Sequence, residues 1–173
     1  MIDKDHVNGG TMQEFEFKMT DDGGYCVISY KGDEENVVIP PMYLGKPVTI
    51  LFDKIFRGHG EIKTVSIPDT VTDIGEFVFD GCSQLRSITL PAALTGIWPY
   101  AFARCGIELI TIPEGVQTIA SFTFKDCKSL KRAEFLGRMK KVRDYAFCGC
   151  RKDLEFIGCE GAEIGSDLFG DTL

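Results

Sequence analysis

The sequence predicts a repeat solenoid, a right-handed superhelix with a parallel β-sheet on one face and short helical or 3₁₀ turns on the other. Three observations support this fold class. A phenylalanine recurs at a nearly constant period, a short alternating apolar block precedes each phenylalanine, and two further alternating runs joined by a turn lie ahead of the repeats. Fixed periods of 20 to 50 residues indicate repeat architectures.

The phenylalanine period organises most of the chain. The segments EFVFDGC, PYAFARC, SFTFKDC and DYAFCGC align at steps of 23, 22 and 23 residues, and a cysteine follows each phenylalanine three positions later. Two weaker copies flank these four, at steps of 23 and 22. The aligned residues are Phe56, Phe79, Phe102, Phe124, Phe147 and Phe169. Such a unit can bury its apolar edge only against the next unit, as in a solenoid.

The block ahead of each phenylalanine has the form L-x-x-I-x-I-P. Its apolar and polar residues alternate with a period of two, which is typical of a short strand. Proline then ends the strand because it has no N–H to donate to a ladder. Stacked copies would give a parallel sheet with strands about 4.8 Å apart, so that six units span roughly 29 Å.

The pattern LRSITLPAALTGIWPYAFARC resembles the BspA-like leucine-rich repeat, which is found mainly in bacterial surface proteins and in some protists. The resemblance covers Val37 to about Phe169. The opening copy, YKGDEENVVIPPMYLGKPVTIL, is similar to the family's usual first repeat with its Gly-Lys-Pro-Val insertion. The sequence departs from the pattern at Leu136, where proline is expected, and at His59, where cysteine is expected.

We divide the chain into three parts: a polar and disordered tail over residues 1–12, an N-terminal β-hairpin cap over 13–36, and a leucine-rich-repeat solenoid of about six repeats over 37–173. The runs FEFKM and YCVISY flank TDDGG, a turn sequence that predicts the hairpin. This hairpin would cover the open apolar end of the solenoid, because an uncovered edge would pair with other chains.

Charge and hydropathy exclude two classes of partner. The 26 acidic residues outnumber the 19 basic ones, which gives a net charge of −7 and no basic surface for nucleic acid. No run of 18 apolar residues exists, so we expect no membrane insertion. We expect a monomer. The compartment stays open: the start MIDKDHVNGGTMQ lacks the features of a signal peptide, which gives a cytoplasmic protein if Met1 is the native start.

The cysteines that follow the phenylalanines should stack in a column, with their Cα–Cβ bonds parallel. A disulfide needs Cβ atoms that point at each other, so we interpret Cys82, Cys105, Cys127 and Cys150 as small buried apolar residues. Cys148 lies outside this column and is expected to be the most reactive thiol. A bridge between Cys148 and Cys159 is a minor alternative.

The phenylalanines are expected to fill one slot of the core in every copy. A second aromatic column lies two residues earlier and comprises Phe77, Tyr100, Phe122 and Tyr145. Trp98 aligns with Gly75 of the preceding copy. Trp98 could either pack in the core or act as an exposed contact residue, and we favour packing.

The sequence does not indicate an enzyme. The chain has only two histidines, His6 and His59, and neither lies in a catalytic motif. No P-loop, G-x-S-x-G, H-E-x-x-H or G-x-G-x-x-G motif occurs, so we expect no cofactor and no metal. The Cys-Gly-Cys sequence at 148–150 is a weak zinc signal.

A binding surface is the remaining functional feature. The side chains between core positions of the strand blocks should form two outward rows, and rigid strands present side chains in a regular array. We therefore predict non-catalytic binding of a protein or glycan ligand through this strand face. The resemblance implies secreted or cell-surface bacterial proteins that act in adhesion or host interaction. The alternative is a structural spacer or scaffold module without a ligand. The candidate binding residues are Thr64, Ser66, Ser87, Thr89, Leu109, Thr111, Arg132 and Glu134.

Overall fold

The computed structural model describes residues 13–171 and consists of short strands joined by turns. The tail predicted for residues 1–12 lies outside the described residues. The strands are β1 (Glu14–Met19), β2 (Tyr25–Lys31), β3 (Asn36–Val38), β4 (Met42–Tyr43), β5 (Lys46–Leu51), β6 (Thr64–Ser66), β7 (Asp73–Ile74), β8 (Gly96–Ile97), β9 (Leu109–Ile112), β10 (Thr118–Ile119), β11 (Arg132–Phe135), β12 (Lys141–Val142), β13 (Glu155–Ile157) and β14 (Glu163–Ile164).

The predicted N-terminal hairpin is confirmed. Strands β1 and β2 pair antiparallel, and the turn between them closes with a hydrogen bond from the N–H of Gly23 to the carbonyl of Thr20 at 3.0 Å. Strand β2 then pairs in parallel with β5, which joins the hairpin to the repeats. The Tyr30 ring meets Phe56 edge-on, with centroids 5.1 Å apart, so the hairpin covers the first aromatic ring of the core.

The repeats contribute short strands to two faces of the solenoid. The strand face is the ladder that contains the pair β3–β6 and the trio β9–β11–β13, whose strands are parallel. The second face contains β5–β7–β8 and β10–β12–β14, also parallel between repeats. The repeat solenoid with parallel sheets is therefore confirmed, but with two ladders of short strands instead of one continuous sheet.

The strand face is interrupted at the third repeat. Residues 87–89 form no strand, and β6 and β9 do not pair with each other. The fourth repeat has only four residues between Cys105 and Ile110, whereas the third has five between Cys82 and Ile88. Gly106 absorbs this shortening, because it approaches the carbonyl of Ser83 so closely that a side chain there would overlap the backbone. The strand block of this 22-residue repeat therefore begins one residue earlier, relative to the preceding cysteine, than the block of the third repeat.

The predicted short helical or 3₁₀ turns are not confirmed, since residues 13–171 contain no helix. The chain instead forms consecutive β-turns. In the third repeat, carbonyl groups of Trp98, Tyr100 and Phe102 accept N–H groups three residues later, at 3.0–3.2 Å. The intervening N–H groups bond the next repeat, as Phe79 does to the carbonyl of Ala101 at 2.8 Å. Alternate amides therefore close turns and link repeats.

These turns force the second aromatic column into an unusual backbone conformation. Its members have φ angles of 57° to 63°, in the left-handed region that side chains rarely adopt. Their rings stack in parallel, with centroids 4.6, 5.0 and 5.3 Å apart, and the stacking offsets part of the backbone strain. The column comprises Phe77, Tyr100, Phe122 and Tyr145.

The phenylalanine column forms the centre of the core. Five rings, from Phe56 to Phe147, are fully buried and stack with centroids 5.2–5.5 Å apart. Phe156 covers the last of these rings edge-on at 5.0 Å. The sixth predicted member, Phe169, is half-buried and packs tilted against Phe156 at 6.5 Å. The last repeat therefore departs from the regular stack.

Candidate functional site

The eight candidate binding residues occupy the outward positions of the strand face. Seven of them are exposed and Glu134 is half-buried. The parallel register places Leu109 beside Arg132, and Thr111 beside Glu134. Ser87 and Thr89 lie in the segment that interrupts the ladder. The structure thus brings these residues onto one surface, while their role in binding stays a prediction.

Charges along the strand face largely compensate each other. Three of the ion pairs join neighbouring repeats. The pairs join Lys63 to Glu35 at 2.8 Å, Lys131 to Glu108 at 2.7 Å, and Arg132 to Glu155 at 2.9 Å. Exposed pairs of this kind contribute little to stability. They leave the surface nearly neutral around its apolar residues.

An apolar side chain stands among these ion pairs. Leu109 is 55% exposed and lines a groove of about 420 Å³ together with Arg132 and Glu155. Ile157 lies on the same face, beside Glu134 in the next repeat, and is also exposed. Exposed apolar side chains surrounded by polar groups are typical of contact surfaces for other proteins.

The second face carries a larger groove, which the sequence did not predict as a site. It has a volume of about 930 Å³ and lies between the hairpin turn and strands β5, β7 and β8. Exposed Met19, Phe52 and Trp98 line it, with half-buried Ile28 and Ile50. We name it the Trp98 groove. Its signal in the sequence was the alignment of Phe52, Gly75 and Trp98 at one repeat position.

Trp98 is 54% exposed, so the favoured packing interpretation is wrong. The residue follows strand β8, and its N–H donates to the carbonyl of Ile74 at 3.0 Å. This bond fixes the backbone while the indole stays outside the core. A second depression of about 680 Å³, on the other side of Trp98, includes Arg143 and Gln117.

Acidic residues surround the Trp98 groove. A hydrogen bond from the Thr20 hydroxyl lowers the pKa of the exposed Asp22, which stays ionised near neutral pH. Asp53 accepts the N–H of Glu76 at 2.8 Å. The five carboxylates that line the groove belong to Asp21, Asp22, Asp53, Asp73 and Glu76, and the single ammonium group belongs to Lys18.

The cysteine column is buried as predicted, and its thiols are free. Each thiol donates to the carbonyl of the phenylalanine one repeat earlier, as Cys127 does to Phe102 at 2.9 Å. Burial raises the pKa of Cys82 and of Cys150 to about 12, and burial likewise raises the pKa of Cys105 well above its usual value. These thiols are therefore protonated and poor nucleophiles at neutral pH.

Cys148 behaves differently from the expectation. It is buried, whereas Cys159 is partly exposed, and neither forms a disulfide. Cys148 occupies the repeat position of Asp80 and Lys125, one residue after the phenylalanine, and the Lys125 ammonium lies 4.0 Å from its sulfur. Within residues 13–171, no three histidine, cysteine, aspartate or glutamate side chains are grouped so that they could hold a metal ion.

His59 takes the place of a cysteine in the first repeat. Its Nδ1 lies 2.6 Å from a carboxylate oxygen of Glu61, and its ring meets Tyr30 edge-on at 5.2 Å. His59 therefore packs under the hairpin. His6 lies outside the described residues.

The architecture is that of a leucine-rich-repeat solenoid. The profile of the BspA type leucine rich repeat region matches residues 49–172 in six copies. The chain belongs to this family, and the predicted resemblance is confirmed. Family membership makes the chain a repeat protein and supports a protein-interaction module as the class of function.

Solved structures of bacterial repeat proteins share the fold. A leucine rich repeat protein of T. pallidum is 28% identical over 92% of this chain and 89% of its own, with a TM-score of 0.69. A leucine-rich repeat protein of Bacteroides capillosus is 26% identical over 73% of this chain and 99% of its own, with a TM-score of 0.61.

A leucine rich cell surface protein of Faecalibacterium prausnitzii is 21% identical over 98% of this chain and 55% of its own, with a TM-score of 0.63. At that identity the likeness concerns the fold alone. No curated protein matches the chain. Within residues 13–171 the structure contains no helix with the length and apolarity that crossing a membrane requires.

Proposed function

We propose that the chain is a non-catalytic module that binds a partner protein through the strand face. The observation that carries this proposal is the exposed Leu109 on a paired strand, set among compensated ion pairs. Its neighbour Arg132 is held by Glu155 at 2.9 Å, so the polar surround is ordered before binding. An ordered surface loses less conformational entropy when it binds.

A protein ligand fits this face better than a glycan does. The outward positions of β6, β9 and β11 and of residues 87–89 carry no aromatic side chain. Pockets for small ligands are concave and rich in apolar and aromatic side chains. The groove beside Ser66 and Thr89 measures only about 360 Å³ and is lined by hydroxyl groups, the carboxylate of Asp69, proline and aliphatic side chains.

The biological setting that we propose is the bacterial cell surface or the secreted fraction, in adhesion or host interaction. Support comes from the family and from the F. prausnitzii relative, which is a cell surface protein. The alternative is a spacer module that binds nothing itself.

A binding experiment separates these functions. The purified chain is screened by biolayer interferometry against immobilised extracellular matrix proteins and a glycan array, and each hit is repeated with a double variant, Leu109→Ala with Arg132→Ala. We expect the double variant to weaken a protein hit at least ten-fold, as central interface residues do, without changing the urea midpoint. Glycan hits alone, or no hits, would contradict the proposal.

A further inference from the structure

The Trp98 groove differs from the strand face in its electrostatics. On the strand face, carboxylates such as Glu108 and Glu155 are paired with basic side chains. In the groove, five carboxylates face one ammonium group. Among residues 13–171, no ion pair involves any of the six charged side chains that line the groove. This surface therefore has a local excess of negative charge that the protein does not neutralise.

Two aromatic rings stand on either side of a glycine in this groove. Phe52 and Trp98 hold the same repeat position, two repeats apart, and both are about half exposed, at 51% and 54%. Gly75 holds that position in the repeat between them, and its N–H donates to the carbonyl of Leu51 at 2.8 Å. Two strand spacings amount to about 9.6 Å. The glycine thus places no side chain of its own between the two rings.

Carboxylates lie beside two glycines, Gly75 and Gly96. The Asp53 carboxylate lies so close to Gly75 that a Cβ atom there would be 2.5 Å from the oxygen. The Asp73 carboxylate lies similarly close to Gly96. A Cβ atom at Gly96 would also be 3.5 Å from the indole nitrogen of Trp98. Negative charge and aromatic faces therefore meet at one place, and both attract a planar cation.

We propose that the Trp98 groove binds an arginine side chain on an extended segment of a polypeptide partner, with the guanidinium between Phe52 and Trp98 and facing Asp53 and Asp73. A guanidinium is planar, stacks on aromatic faces, and donates several hydrogen bonds to carboxylates. The aliphatic side chains of Met19 and Ile50 contact the apolar neighbours of the arginine. This site is separate from the strand face, so the two can be tested independently.

Trp98 is the only tryptophan of the chain, so its fluorescence reports on the groove directly. The probe is the peptide acetyl-Gly-Arg-Leu-Gly-amide, and the matched probe replaces arginine with citrulline, which is neutral and nearly identical in shape. We expect a saturable change in Trp98 emission with the arginine peptide and at least ten-fold weaker binding of the citrulline peptide. Binding of the arginine peptide should also weaken as salt is raised.

Variants test whether the arginine peptide binds in the Trp98 groove. Asp53→Asn with Asp73→Asn should weaken the arginine peptide at least ten-fold, and Phe52→Ala at least five-fold, while both retain the reporter. The double variant Leu109→Ala with Arg132→Ala is the matched control and should bind as the wild type does. Circular dichroism and urea midpoints show that each variant is folded.

Two results with the wild-type protein would overturn the proposal: equal affinity for the arginine and citrulline peptides, or no saturable response to the arginine peptide, whether or not the neutral sugar cellotetraose gives one. A folded Asp53→Asn, Asp73→Asn variant that binds the arginine peptide as tightly as the wild type would also overturn it.

Discussion

The thiol of Cys105 donates a hydrogen bond to the carbonyl oxygen of Phe79, one repeat earlier, over 2.9 Å. The same carbonyl accepts the N–H of Cys82 at 3.1 Å. One oxygen therefore closes a turn within its own repeat and binds a side chain of the next. The relationship recurs through the column, which explains why a cysteine rather than another small apolar residue stands there.

We predict that Cys105→Ala lowers the free energy of unfolding by about 1–2 kcal/mol, because it removes both buried volume and the hydrogen bond to Phe79. Cys105→Ser keeps a donor at the same place and should be at least as stable as the alanine variant. Urea unfolding of both variants measures the difference. A serine variant that is less stable than the alanine variant would show that the column acts through apolar packing alone.

The column should also make stability depend on alkaline pH. Burial raises the pKa of Cys82 and Cys150 from 9.0 to about 12, so the folded state holds these protons more tightly than the unfolded state. The resulting stabilisation is fully present below pH 9 and is lost as the pH rises through 9 towards 12. We expect the urea midpoint to fall over that range.

Other groups also titrate there, since burial raises the pKa of Tyr30 as well. The informative quantity is therefore the difference between variants. Cys82→Ala with Cys150→Ala should show a shallower fall of stability with pH than the wild type. Cys159→Ala, at a partly exposed position, is the control and should follow the wild type. If stability fell with pH equally in all three proteins, the raised pKa of Cys82 and Cys150 would be refuted.

Thiol accessibility tests the burial pattern directly. Cys159 is partly exposed, while the other six cysteines, Cys148 included, are buried. In native protein we expect one thiol to react rapidly with a maleimide and six to react only slowly or after denaturation. Mass spectrometry of tryptic peptides identifies the labelled residue. Rapid labelling of Cys148 would restore the prediction made from the sequence.

The phenylalanine column should dominate stability. Phe102 is fully buried between Phe79 and Phe124, with ring centroids 5.2 and 5.5 Å away. Phe102→Ala is expected to cost about 3–5 kcal/mol, because it leaves a cavity that the neighbouring rings cannot fill. Trp98→Ala, an exposed aromatic residue of the same repeat, is the control and should change stability by no more than about 0.5 kcal/mol. Similar urea midpoints for the two variants would contradict the assigned core.

The second aromatic column permits a test of backbone strain. Tyr100 has a φ of 60°, which glycine adopts freely and alanine does not. We therefore expect Tyr100→Gly to be more stable than Tyr100→Ala by roughly 1 kcal/mol, the reverse of the usual order. At Phe102, which has no positive φ, glycine should be less stable than alanine. Thermal unfolding of the four variants compares the two positions, and the same order at both would contradict the strained conformation.

Much of the fold was predictable from the sequence because a solenoid makes only contacts between neighbouring repeats. The period of 22 to 23 residues predicts one buried stack that contains Phe79, Phe102 and Phe124, and the rings do stack in this way. The same period predicts that Leu109 and Arg132 lie side by side on the strand face, as they do. Residues at equal repeat positions must be neighbours, so alignment alone gives their adjacency.

The structural consequences of departures from the period could not be predicted from the sequence. The break at residues 87–89 depends on how Gly106 absorbs one missing residue, and Phe169 leaves the stack because Phe156 takes the place beside Phe147. The turns likewise formed without helices, because alternate amides found partners in the next repeat.

The sequence by itself determined the solenoid, its hairpin cap, its buried phenylalanine and cysteine columns, and the outward rows of the strand face. Only the tertiary structure decided that Trp98 is exposed, that Cys148 is buried, and that Phe52 and Trp98 line an acidic groove with the hairpin turn. The physical reason is that periodicity fixes which residues are neighbours along the stack. The exposure of each side chain depends on the hairpin and turns packed around it, which no repeat pattern encodes.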